Sequence, residues 1–184
     1  MEVYVPQEDS FLLEKAILKE DLKEKNCLDL GTGNGIQTKA MFKSGAKKVT
    51  AVDINPDAIK KARENNKQEK EITFFEGDLF RFIHNNPSER FDFVAFNPPY
   101  VPSDEIKWKD LDGGKKGREI IDVFLSEFEK ILGPKGIVLL LVSSLNKPEE
   151  IISLLSKKSF KAKIIEKQKL FFEELLVLKI TRIK

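Results

Sequence analysis

The chain has 184 residues, 41% of them hydrophobic, a length and composition that fit one domain around one buried core. Its longest apolar run, residues 137–142, is far short of a membrane span, and the N-terminus opens on acidic and polar residues instead of a basic stretch followed by an apolar one. The single cysteine, Cys27, cannot form a disulfide within the chain, so a soluble, unprocessed protein of a reducing cytoplasm is expected.

The net charge of +2 hides an asymmetry: residues 157–184 carry nine Lys or Arg against Glu166, Glu173 and Glu174. A basic edge of this kind suits contact with RNA or an RNA-associated protein, but a solvated face of alternating lysines is the favoured reading. Cys27 lies in an apolar stretch with no histidine or second cysteine nearby, so it reads as a buried structural residue and no metal site is expected.

Taken in chain order, apolar residues at helical spacing after Ser10, a candidate N-cap, predict a helix over residues 10–24. Residues 26–30 read as a buried strand, 35–43 as a helix, 48–53 as a strand, and 56–66 as a helix with Pro56 near its first turn. Strands follow at 72–76 and 91–96, with a short helix or turn over 79–84 between them. A polar loop over 102–117 leads to a helix over 118–131, ended by Gly133 and Pro134. The most apolar strand is 137–142, then a helix over 147–158, then two strands at 161–168 and 175–181. Strands alternating with helices imply a mostly parallel, doubly wound sheet covered on both faces. The connection between the last two strands is too short for a parallel crossover, so the final strand runs antiparallel to its neighbour. The expectation is a single α/β domain over 1–184 with a seven-stranded sheet of the Rossmann-like class I methyltransferase kind, by fold-level analogy.

Residues 27–35 run from an apolar strand into a turn with Gly31, Gly33 and Gly35, where backbone can approach a ligand without Cβ clashes. A dinucleotide loop would place its third glycine at position 36, which is Ile36, so the pattern departs from a nicotinamide or flavin site. Asp29, just before the turn, would meet the cationic amino-acid end of S-adenosylmethionine. Asp53 closes the second strand, where an acid can accept both ribose hydroxyls. Asp78 and Leu79, after the third strand, would set a carboxylate and an apolar side chain against an adenine. Singly, either Asp53 or Asp78 also reads as a helix cap. Directly after the fourth strand comes Asn97-Pro98-Pro99-Tyr100. Two prolines stiffen the backbone and remove two N–H donors. The Asn97 side-chain oxygen and the Pro98 carbonyl are then two acceptors for an NH₂ group on a planar system, with Tyr100 to pack on its flat face. No strong general base accompanies them, His84 lying in a polar turn elsewhere.

With these residues the chain resembles the HemK-type protein-glutamine methyltransferases, in particular their small archaeal and eukaryotic branch acting on class I release factors. Residues 3–13, from Val3 through Asp9 and Ser10 to Leu13, are similar to that branch's N-terminal signature. The resemblance implies that residues 1–25 complete the cofactor site, with Ser10 in place of the usual Thr and Asp29 where many relatives carry Glu. It implies a cofactor pocket lined by Ser10, Asp29, Gly31, Gly33, Asp53, Asp78 and Leu79, and a substrate site at Asn97, Pro98, Pro99 and Tyr100, with Asn97 touching both. Trp108 and residues 113–119 also resemble the family's loop after this motif. The implied activity is transfer of a methyl group from S-adenosylmethionine to the glutamine amide of a release-factor Gly-Gly-Gln segment. The branch works with a small zinc-finger-like activator that adds a strand at the 72–76 edge. Adenine N6 methylation of DNA or RNA is the rival reading, disfavoured because residues 102–119 hold as many acidic as basic side chains. Lysine methylation and a catalytically silent binding subunit rank below it. Phe171 and Phe172, in the turn between the last two strands, suit core packing and a substrate contact equally well.

Overall fold

The computed structural model describes residues 3–85, 88–101 and 117–183; the side chains of Leu79 and Phe80 lie outside that description, as do Trp108 and residues 113–116. Seven strands form one sheet: β1 (Asn26–Leu30), β2 (Lys48–Asp53), β3 (Ile72–Glu76), β4 (Phe91–Phe96), β5 (Leu132–Ser143), β6 (Phe160–Lys169) and β7 (Glu174–Arg182), in the order β3-β2-β1-β4-β5-β7-β6. The first five pair in parallel, and β7 runs antiparallel to both β5 and β6. The helices are α1 (Glu8–Ile17), α2 (Ile36–Lys43), α3 (Pro56–Asn65), α4 (Leu79–Asn85), α5 (Glu119–Glu127) and α6 (Pro148–Lys157). None of them is long and apolar enough to cross a membrane. The expected Rossmann-like methyltransferase architecture is the observed one.

Burial explains the strand sequences. Parallel strands are covered on both faces, so β1, β4 and the core of β5 are buried almost continuously instead of alternating. At β3, the edge strand, no residue is fully buried, and Phe74 and Phe75 are each half-covered on their own face. Phe74 lies under the Arg63 guanidinium of α3, 4.6 Å from its ring centre, while Phe75 meets Phe82 of α4 edge-on at 5.2 Å. These two helices therefore cover opposite faces of the sheet. On the α5 face a run of tilted rings, Phe96–Phe124–Phe128–Phe160, backs the last residue of β4. Cys27 is buried, and burial pushes its thiol up to about 12.

Two helix expectations are corrected. The first helix spans Glu8–Ile17 with Gln7 as N-cap, so Ser10 sits inside its first turn and caps nothing. Its hydroxyl is turned to Asp9. The helix ends early because Lys19 and Glu20 close tight turns onto Ala16 and Ile17, and Leu22 then bonds to Ser44 in the connection before β2. The helix before β5 stops at Glu127 and tightens into a 3-10 turn over Phe128–Lys130. Gly133 and Pro134 belong to a bulge inside the longer strand β5, which pairs Phe91 with Leu132 and Phe93 with Ile137.

Gly35, the N-cap of α2, has φ +84, and a Cβ there would lie 2.3 Å from Asn66 Nδ2 and 3.2 Å from Ala62 Cα of α3. Left-handed backbone and absent space act together, so Gly35→Ala is expected to destabilise the fold by about 2–3 kcal/mol. Thermal denaturation should show a Tm lowered by roughly 5–10 °C. A Tm within about 2 °C of wild type would mean that α2 and α3 separate without cost.

Candidate active site

The sheet changes winding direction between β1 and β4, and ligands of open α/β sheets bind outside the carboxyl ends of the strands at such a point. Leu30 pairs with Phe96, so the glycine turn after β1 and the Asn97 segment after β4 leave the sheet side by side. A Cβ on Gly31 would lie 3.8 Å from the Asn97 carbonyl oxygen. Gly31, Gly33 and Gly35 all have positive φ. The turn is held from below: Thr32 N donates to the Val52 carbonyl at 3.0 Å, and Gly33 N to Asp53 Oδ2 at 2.8 Å.

Asp29 is buried beneath this turn, and its Oδ2 accepts from Thr32 Oγ1 (2.7 Å), Thr38 N (2.9 Å) and Thr38 Oγ1 (2.7 Å). Desolvation raises its carboxyl to about 6 against the opposing pull of these donors. This side chain ties the turn to the first residues of α2. Asp53 is half-buried at the end of β2, with Oδ1 accepting from Asn55 N at 2.9 Å; the cap of α3 is Asn55, whose side chain takes Asp57 N. Asp53 thus stands at the turn itself. Asp78 is exposed and caps α4, its Oδ1 accepting from Arg81 N at 2.8 Å. The ends of β2 and β3 are linked by Gly77 N donating to the Asp53 carbonyl at 2.9 Å. The Leu79 side chain, assigned to an adenine contact, lies outside the described residues.

Asn97 is half-buried, and its amide nitrogen donates to Asp9 Oδ2 at 3.0 Å. A carboxylate oxygen accepts and cannot donate, so this contact fixes which way the amide faces. Asn97 Oδ1 is left buried with no partner among the described residues. Asp9 is itself buried, at 2% exposure, and its other oxygen receives Tyr4 OH (3.0 Å), Ser10 N (2.6 Å) and Ser10 Oγ (3.2 Å). Ser10 is held in turn by Gln37 Nε2, which donates to its carbonyl at 2.9 Å. In the sequence Asp9 stands out only as part of the 3–13 signature; the signal for its role is an acid in the first turn of a buried helix.

A cavity of about 300 Å³ opens beside these residues, lined by Tyr4, Glu8, Asp9, Tyr100, Leu170 and Glu173 among others. Burial, with Asp9 and Glu173 next, pushes the Tyr100 phenol well above its ordinary range, so Tyr100 stays a neutral aromatic wall. Pro98 is buried and Pro99 half-buried behind it. Asn146, also missed in the sequence, is fully buried in a 3-10 turn after β5 and donates through Nδ2 to the carbonyls of Tyr100 and Gly117, each at 2.8 Å. It anchors both flanks of segment 101–116 to the end of β5. His84 stands exposed on α4, 3.8 Å from Glu127, and is not among the residues lining this cavity.

The residues at the turn fit S-adenosylmethionine. A Cβ at Gly33 would meet nothing closer than the Gly31 carbonyl at 4.0 Å, which leaves room for a ligand against the backbone, and Asp53 stands beside it. Residues 27–108 match the model of the methyltransferase domain. Over 99% of its length, and 93% of the relative's, the chain is 44% identical to a Methanocaldococcus jannaschii protein that bears the name protein N5-glutamine methyltransferase. It is 30% identical to methyltransferase HEMK2 of Homo sapiens, covering 98% of this chain and 90% of that one. The structure superposes on that of the E. cuniculi Mtq2–Trm112 complex, described as responsible for methylating the translation termination factor eRF1, with a TM-score of 0.79, 31% identity and 99% of each chain covered. The chain is a member of the HemK-type protein N5-glutamine methyltransferase family, whose methyl donor is S-adenosylmethionine.

Proposed function

We propose that this chain methylates the side-chain amide nitrogen of the Gly-Gly-Gln glutamine in a class I release factor. The observation that carries the reading is Asn97, whose amide is turned by Asp9 so that its buried oxygen, without a partner among the described residues, stands at the end of β4. S-adenosylmethionine supplies a methyl group on a sulfonium, an electrophile whose departure leaves a neutral thioether. The substrate amide is a weak nucleophile because its lone pair is delocalised into its carbonyl. Asn97 Oδ1 and the Pro98 carbonyl accept its two N–H bonds, hold its plane, and draw proton density from nitrogen as the N–C bond forms. One of those protons then leaves to water, since an N-protonated amide is too acidic to persist. Tyr100 walls the flat face, Pro99 stiffens the segment, and Asp9 acts as a positioning residue. Asp53 would take the ribose hydroxyls, Gly31 and Gly33 would let the cofactor lie against the backbone, Ser10, Asp78 and Leu79 would complete the pocket, and Asp29 would serve it from beneath by holding the turn. Residues 1–25 belong to the single domain as part of its active site. Glu8, Asp9 and Glu173 line the cavity, a field that repels a phosphate backbone and favours a protein over a nucleic acid.

Partner and place follow from the same reading. β3 is the last strand of the sheet and bonds to β2 on one side, an edge suited to strand addition. A small zinc-finger-like activator adding a strand there would pair the open backbone of β3 beside Phe74 and Phe75 and steady Asp78, two residues beyond the strand. A relative of this chain is found in complex with Trm112, which supports such a partner. Action on a termination factor belongs in the cytoplasm.

Asn97→Ala is expected to leave the affinity for S-adenosylmethionine within a few-fold while lowering kcat by about 10²–10³. Asp9→Asn should reproduce much of that loss, because one amide cannot accept from both Asn97 and Ser10 N. Mass mapping of a labelled methyl group on release factor is the readout, and near-wild-type turnover in Asn97→Ala would remove the segment from the reaction. For the cofactor, Asp53→Ala should weaken binding by about 1–3 kcal/mol in calorimetry; unchanged affinity would take Asp53 out of the pocket. In hydrogen exchange on the isolated chain, amides of 72–76 should exchange faster than those of 137–142. Equal protection would sink the open-edge proposal.

A further inference from the structure

The turn between β6 and β7 presents two stacked aromatic rings to solvent. Phe171 is 91% exposed and Phe172 86%, more than any other large apolar side chain among the described residues, and the two rings meet edge-to-face at 4.6 Å. Core packing therefore does not account for them. Their base is fixed: Leu170 packs against the core and donates through its N–H to the Glu173 carbonyl at 2.8 Å, and Glu174 N donates to Ser144 Oγ at 3.0 Å. Aromatic side chains have two torsions, so a pair already stacked on a fixed turn loses little freedom when covered.

The position of this turn says what covers it. Ser143, the last residue of β5, pairs with Leu175, so the turn stands at the ligand-binding end of the parallel strands. Leu170, Glu173 and Leu175 line the same cavity as Asp9 and Tyr100. Leu170 and Glu173, which flank the two rings in sequence, line the cavity, so the tip stands at its rim, where a macromolecule inserting a side chain would meet it. An activator added at β3 sits at the opposite edge of the sheet and does not reach it.

We propose that Phe171 and Phe172 are a docking anchor for the body of the protein substrate, covering an apolar surface next to the loop that carries the methylated amide. The proposal rests on the glutamine-methylation reading and adds to it a contact remote from the chemistry. The test compares the purified chain with its Phe171→Ser/Phe172→Ser variant, both side chains being too exposed to matter for folding. Each is assayed with full-length class I release factor and with a short peptide carrying the same glutamine loop. The expected result is a KM for the protein raised about tenfold or more, with kcat, cofactor affinity and peptide kinetics unchanged. An unchanged KM for the protein would overturn the proposal. So would a parallel loss on the peptide, which would put the pair inside the reaction site, or a wild-type dimer that the variant dissociates, which would make the tip a contact between copies. Absence of methylation of either substrate by the wild-type chain, both alone and with a Trm112-type partner added, would instead refute the glutamine reading itself.

Discussion

Everything at the active site depends on the pairing of β1 with β4. Parallel strands place their carboxyl ends at one edge, and the register of Leu30 with Phe96 makes the glycine turn and the Asn97 segment leave that edge as neighbours. Because β2 and β3 wind one way from β1 while β5 winds the other from β4, nothing of the sheet closes the gap between them. The aromatic run behind Phe96 keeps the β4 end from shifting. Close packing of this kind limits how far the start of the Asn97 segment can move.

Orientation of that amide comes from a different part of the chain. Asp9 is eighty-eight positions from Asn97 and reaches it because α1 is buried through Leu12, Leu13, Ala16 and Ile17 against α2 and the far strands. The acid is expensive to bury, and four donors from Tyr4, Ser10 and Asn97 offset the cost. Asp29 follows the same logic under the glycine turn. Both carboxylates face inward, holding backbone and side chains in place where a ligand arrives.

Much of this was legible in the sequence. Strand positions and the antiparallel finish follow from apolar runs and from a connection too short to cross over, and the Gly31–Gly35 turn and the Asn97–Tyr100 segment announce themselves by residue types that a plain turn has no use for. Contacts between distant segments were not legible. Period and propensity are local signals, and they cannot show that Asn146 holds the carbonyls of Tyr100 and Gly117, or that Asp9 meets Asn97. The misplaced start of α1 has the same origin. Ser10 has the composition of a cap, but its hydroxyl is occupied by the neighbouring acid, and Glu8 and Asp9 begin the helix instead. Asp53 and Asp78 looked alike in sequence; one stands at the glycine turn and the other caps a helix.

The first helix is fastened to the last strands. Lys15 and Lys19 both pair with Glu166 of β6, and Lys179 of β7 pairs with Glu20 just beyond α1. The carboxylate that orients Asn97 thus precedes by most of the chain the strands that seat its helix. A nascent chain that has not yet released β6 and β7 can pair its five parallel strands and form the glycine turn, but α1 has no completed surface to lie on. During synthesis the glycine turn can therefore form before Asp9 is seated against Asn97, a contact that waits on β6 and β7.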